Sequence, residues 1–236
     1  MQMIKKYWQT IDTDLNELVK NGSVKLPSLE CFDIDSISAD IINEMNGRTF
    51  TELTGAHKKF LNVLGIHDHL VPKLYDLARN KFNFKGDISN QYHIARRVEP
   101  GNSKELYRAH FDSHLFTIVL PMKIPKSLNG GDCGDLIYFP KARATPRFEL
   151  NNIASKIYHK KYASQHGIEH FAKHHQVHYD GFHDYRPLLF FGNTTLHTNK
   201  GLSFDCSHER LTLLAHFFDP SPKYGIGGLV RLIRDR

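Results

Sequence analysis

A mainly β domain, a sandwich or jelly roll with flanking helices, is what this 236-residue sequence predicts. Three observations predict it. Helical spacing of apolar residues marks the first eighty-odd positions. Near Gln91 the period changes, and short β-rich runs follow at close intervals. These runs do not alternate with helices, which argues against a parallel βαβ sheet.

Taken in order, IDTDLNELVK carries a helical period, and DHLVPKLYDLARNKF places Leu70, Leu74, Leu77 and Ala78 on one helical face. QYHIARRV, LYRAHFDS, HLFTIVLPMKI and DLIYFP then read as strands bounded by PGN, NGGDCG and proline. Between Lys141 and Arg186 the pattern loosens into a polar stretch rich in His and Tyr. Strand-like runs return with PLLFFGN, TLHTNKG and RLTLLAHFFD. We therefore expect one domain over 1–236: an N-terminal helical layer (1–88), a β core (89–220) with an insertion at about 141–186, and a basic amphipathic tail (221–236). GDCGDL precedes a strand instead of opening a helix, so it lacks the context of a dinucleotide-binding loop.

Composition bounds the function classes. Hydrophobic residues at 40%, charged residues at 24% and a mean hydropathy of −0.44 belong to a soluble globular chain. No apolar run reaches the ~18 residues of a membrane span, and MQMIKKYWQTIDTD holds no secretory h-region, so a cytoplasmic location is expected. Cys31, Cys133 and Cys206 are too few for a disulfide framework, and reduced thiols are expected. The formal charge of +6 favours an anionic partner. No aromatic-basic motif of a standard nucleic-acid module is present.

The segment YRAHFDSH puts His110 and Asp112 two positions apart, and in a strand such residues share a face. His197 follows a turn-forming Gly192-Asn193 in the second group of strands. Two imidazoles and one carboxylate on one side of an octahedral ion leave the positions opposite open, as non-haem Fe(II) oxygenases require. A His-x-Asp pair alone is a weak signal among sixteen histidines. It strengthens because His197 lies 87 positions after His110, and Arg210 follows 13 positions later at the start of RLTLLAHFF. A guanidinium buried among apolar strand residues calls for an anionic partner.

From Gln91 to Pro220 the sequence resembles the Fe(II)- and 2-oxoglutarate-dependent oxygenases, which share a double-stranded β-helix core. The resemblance rests on His-x-Asp, a distal His after a Gly-containing turn, and an Arg followed at i+2 by a hydroxyl residue, here Thr212. It implies His110, Asp112 and His197 as iron ligands, with Arg210 and Thr212 holding the far carboxylate of 2-oxoglutarate. Related radical halogenases lack the carboxylate, so the retained Asp112 favours hydroxylation. The helices match that family in kind only, and the His-rich insertion matches nothing in it.

Other residues carry weaker readings. Within HGIEHFAKHHQVHYDGFH, His166 and His170 stand at i, i+4, but Gly167 occupies the place of a metalloprotease glutamate, so imidazoles lining an acidic substrate's path are favoured. His114 and His216 are expected in strands, in the core or supporting the ligands. Tyr92, Arg96 and Arg97 share the first core strand, and two readings stand for them: they face the pocket, or the two arginines face solvent. The tail KYGIGGLVRLIRDR suits peripheral contact with an anionic membrane surface or packing back on the domain. With the basic charge, it suggests an acidic small molecule or glycolipid as substrate, in a looser similarity to the bacterial Kdo hydroxylases of lipopolysaccharide. Two competing functions use the same β architecture: a zinc or manganese hydrolase or isomerase, and a ligand-binding jelly roll. Neither gives Arg210 a co-substrate.

Overall fold

A computed structural model describes residues 2–52, 55–102, 106–146 and 149–220. The elements run α1 (Gln2–Tyr7), α2 (Ile11–Asn21), β1 (Ser23–Lys25), α3 (Ile34–Met45), β2 (Phe50–Glu52), α4 (Gly55–Leu64), α5 (Ile66–His69) and α6 (Val71–Phe82). The β region follows with β3 (Gln91–Val98), β4 (Phe116–Lys123), β5 (Leu136–Phe139), α7 (Glu149–His159), α8 (Gln165–Ala172), β6 (His178–Asp180), β7 (Leu188–Phe191), β8 (Leu196–Asn199) and β9 (Arg210–Phe217). The basic tail lies outside the described residues.

The strands form a six-stranded sheet, β1-β7-β4-β9-β3-β2, and a three-stranded sheet, β6-β5-β8, with every described pairing antiparallel. Strand alternation gives the larger sheet two working faces. Phe116, Ile118, Leu120, Leu189, Phe191, Leu211, Leu213, Ala215 and Phe217 pack with helical residues such as Leu18, Ile41, Phe60 and Leu74 in one core. The opposite face sets Val119, Leu188 and Phe190 against Leu136 and Tyr138 of the smaller sheet. Two facing antiparallel sheets with helices covering one outer surface make a jelly roll, as expected.

The helices follow their sequence signals. Asp33 caps α3 by accepting from the Ser36 amide, and α3 buries Ile34, Ser38, Ile41 and Met45. Ser38 then donates to the Met122 carbonyl of β4 at 2.9 Å. In α6 the buried positions include Leu74 and Ala78, with Leu70 buried just before it; Leu77 is half-buried.

Several expectations need correction. The N-terminal layer is not wholly helical, because β1 and β2 close opposite edges of the larger sheet. LYRAHFDS is not a strand: Tyr107 adopts φ 49°, and regular pairing shrinks to one bridge, His110 with His197. His114 lies in the turn that follows. Within the insertion, whose elements the sequence left open, lie α7, α8 and β6, of which β6 extends the smaller sheet.

Two histidines are buried on the helix side. Burial pushes His57 down to about 4; burial, and then the neighbouring imidazoles, push His93 down to about 3. An unfolded chain protonates these rings near their ordinary value of 6.5, whereas the folded chain resists. Their contribution is therefore whole above pH 6.5 and is lost as the pH falls toward 4, by on the order of 3 kcal/mol for each ring. Urea unfolding at pH 7.5 and 4.5 should show this loss, and His93→Gln should shrink it. An unchanged pH slope in the variant would remove His93 from the account.

Candidate metal centre

His110 and His197 are locked together by a reciprocal pair of backbone hydrogen bonds, His110 N to His197 O and His197 N to His110 O, each 3.1 Å. Their rings approach to 4.3 Å between centroids. Each Nδ1 sits against a backbone carbonyl, that of Arg108 at 2.7 Å for His110 and that of Thr195 at 3.2 Å for His197. A carbonyl can only accept, so each Nδ1 carries a proton and each Nε2 is the ring nitrogen left to ligate a metal. Both Nε2 atoms face Asp112 Oδ1, at 3.6 Å from His110 and 3.7 Å from His197. Among the described residues these three are the one group whose donor atoms could hold a metal ion.

The second Asp112 oxygen is held from behind. Thr117 Oγ1 donates to Asp112 Oδ2 at 2.5 Å and lies 3.0 Å from His216 Nδ1. The approach is tight enough to require glycine at 192. A Cβ there would meet Thr117 Oγ1 at 2.6 Å and Asp112 Cβ at 3.0 Å. Burial alone would raise the Asp112 carboxyl, but the imidazoles of His197, His216 and His110 and the Thr117 hydroxyl outweigh it. The carboxyl therefore stays well below the usual carboxylate range. The His110 side chain is half exposed (52%), with protein packed around the rest of it. That desolvation, then the neighbouring His197, lowers its pKa from the ordinary value. Both shifts hold the site ready for a cation at neutral pH: an ionised carboxylate and a neutral imidazole.

Alternation continues beyond the triad. Residues 110 and 112 turn toward the site, while Ala109 and Phe111 pack with Ile168 and Phe171 of α8 and with Phe139 and Leu196. Arg143 lies over the Phe111 ring at 3.9 Å, and donates to the Asn193 carbonyl and to Asn152 of α7. The insertion thus backs the segment that carries two of the three donors.

Arg210, the first residue of β9, is buried, as is Thr212. Its guanidinium donates to Asn199 Oδ1 at 3.1 Å, and no ion pair to it is present among the described residues. Burial, and then the charge of Arg96, pull its pKa down to about 10. Arg210 and Thr212 line a cleft of about 350 Å³, its open mouth included, together with Arg96, Asn199, Lys200 and Leu202. Arg96 pairs with Thr212 across β3 and β9, so the two share a face, and its charge acts on both His110 and Arg210. Of the three β3 residues left open by the sequence, Arg96 enters the cleft and Tyr92 stacks with His114 and His216. Arg97 points to the other face and pairs with Glu99.

Sequence reasoning missed Thr117, Asn199 and Arg143 and left His216 as supporting at most. Asn199 was within reach, because it stands two positions after His197 in β8 and must share its face. Thr117 was not, since its place opposite His216 depends on the register between β4 and β9. His166, His170, His174 and His175 are exposed on and after α8 and form no metal-binding group among the described residues.

No protein-family profile matches the chain, and no curated protein sequence does. Solved structures do match in fold. A prolyl 4-hydroxylase from Phytophthora capsici aligns over 98% of this chain and 73% of its own, with a TM-score of 0.56 and 14% identity. HygX from Streptomyces hygroscopicus, solved with iron bound, aligns over 87% of this chain and 85% of its own, with a TM-score of 0.53 and 10% identity. SnoN, the non-haem α-ketoglutarate-dependent epimerase of nogalamycin biosynthesis, covers 92% of this chain and 81% of its own, at 0.51 and 10%. At such identities the likeness is one of fold. No helix among the described residues is long and apolar enough to cross a membrane.

Proposed function

We propose that this chain is an Fe(II)- and 2-oxoglutarate-dependent dioxygenase that hydroxylates an acidic substrate. One observation carries the reading. The fold combines a His-Asp-His donor set with a buried arginine that makes no direct ion pair among the described residues, Asp135 and Asp180 acting on it only from farther away. Iron held by His110, Asp112 and His197 would supply, with 2-oxoglutarate and O2, the oxidising power. The protein's own part is orientation. Thr117 and His216 fix the Asp112 carboxylate, the carbonyls of Arg108 and Thr195 fix the imidazoles, and Arg210 with Thr212 anchors the far carboxylate of 2-oxoglutarate. Succinate release that depends on added Fe(II) and 2-oxoglutarate tests this, even without the natural substrate. Iron binding with no succinate above background would instead favour a hydrolase or isomerase.

The acidic substrate rests on Arg96, a cation in the same cleft beyond the one assigned to 2-oxoglutarate, and on the formal charge of +6; Lys200 beside it is already paired with Asp132 at 2.9 Å. An acidic sugar such as Kdo on a lipopolysaccharide precursor, presented at the cytoplasmic membrane face, is the specific form of this reading. In a panel of sugar acids and amino acids, carboxylates should stimulate succinate release and their carboxamides should not. Arg96→Gln should abolish that preference. Equal stimulation by acid and amide would reject the acidic substrate.

A further inference from the structure

We propose that Cys133 and Cys206 form a reversible oxidation site, a dithiol that closes to a disulfide when a peroxide reaches it. Their Sγ atoms lie 3.8 Å apart. The segments that carry them are already stitched together: Cys133 bridges to Leu202, Cys206 bridges to Ser127, and the Ser203 amide donates to the Asp132 carbonyl at 2.9 Å. A disulfide needs the sulfurs at ~2.05 Å, so closure asks for side-chain rotation and a small approach of two loops that are already paired.

The two thiols differ in access. Cys133 is partly exposed and Cys206 is buried. Burial, and then the adjacent Cys133, push the Cys206 thiol up to about 11, so Cys133 is the sulfur that meets the oxidant. Its thiolate attacks one peroxide oxygen, the O–O bond breaks, and hydroxide leaves to take up a proton as water. Cys133 is then a sulfenic acid. The Cys206 sulfur displaces the sulfenic oxygen, which departs as a second water, and the S–S bond forms. The peroxide is reduced and both sulfurs are oxidised.

The bond would rivet one wall of the cleft. Gly134, next to Cys133, sits so close to Arg210 that a Cβ there would lie 3.0 Å from Nη1, and Leu202, opposite Cys133, lines the same cavity. Cys31 stands exposed in the N-terminal region and serves as an internal control.

The test treats the full chain with one equivalent of hydrogen peroxide, a chelator being present so that no free iron decomposes it. Of three thiols, one should remain titratable. The intact mass should fall by two hydrogens, and peptide mapping should find Cys133 joined to Cys206 with Cys31 still alkylatable. Dithiothreitol should reverse the change. Amide exchange over residues 131–134 and 201–206 should slow on oxidation. Cys206→Ser should stop at a Cys133 sulfenic acid that dimedone traps. First reaction at Cys31, disulfide-linked dimers, or over-oxidation of Cys133 without a cross-link would each overturn the proposal. Should the variant fail to fold, the wild-type peptide map decides alone.

Discussion

Asp112→Ala is expected to abolish stoichiometric Fe(II) binding while the β-rich circular dichroism spectrum survives. The substitution removes the one negative charge among three donors. It leaves two imidazoles whose Nε2 atoms faced that carboxylate at 3.6 and 3.7 Å. Loss of a hydrogen bond behind a ligand already costs 10–100-fold in metal affinity, so loss of the ligand itself should weaken binding by more than about a hundredfold. Anaerobic calorimetry and iron content after desalting measure it. His110→Ala and His197→Ala should behave alike, although His197 lies within β8 and its removal disturbs the fold more than that of half-exposed His110. Normal iron content in any of the three would take that residue out of the triad.

Arg210→Ala should separate co-substrate from metal. A charge-assisted carboxylate pair contributes roughly 1.5 to 3 kcal/mol, so 2-oxoglutarate affinity should fall by about tenfold or more, with iron still bound. The effect on stability should run the other way from that of an ordinary buried residue. The guanidinium is desolvated and its described acceptor is Asn199 alone, so removing it relieves a cost as well as opening space. Titration of the iron-loaded protein with 2-oxoglutarate, alongside thermal melts, checks both. Unchanged affinity would pass the anchor to another cation of the cleft, Arg96 first.

The long strands were legible in the sequence, and for β9 the faces too, because a two-residue period over eight residues is hard to mistake. In β9 it sets Arg210, Thr212, Leu214 and His216 on one face and Leu211, Leu213, Ala215 and Phe217 on the other. The edge strands β1 and β2 were not legible, since three residues carry no period and their pairing is decided by the partner strand. The segment around His110 reads as a strand yet is mostly irregular. His110 and Asp112 nevertheless converge, because the His110–His197 bridge keeps the local alternation that a full strand would have provided. Contacts that depend on register or on the insertion were beyond reach: Thr117 against Asp112, and Arg143 over Phe111.

The packing of Ala109 and Phe111 onto α8, with Arg143 spanning from Phe111 to α7, ties the insertion to the segment that carries His110 and Asp112. A segment inserted at the rim of a β fold is usually free to drift, since loops there tolerate replacement more readily than the strands they connect. Here that freedom is curtailed. The insertion is the mould against which the donor-bearing chain is cast, so a redesign of residues 141–186 would shift His110 and Asp112 through Ala109 and Phe111. Grafting this region onto a relative, or trimming it away, should therefore be judged first by metal retention.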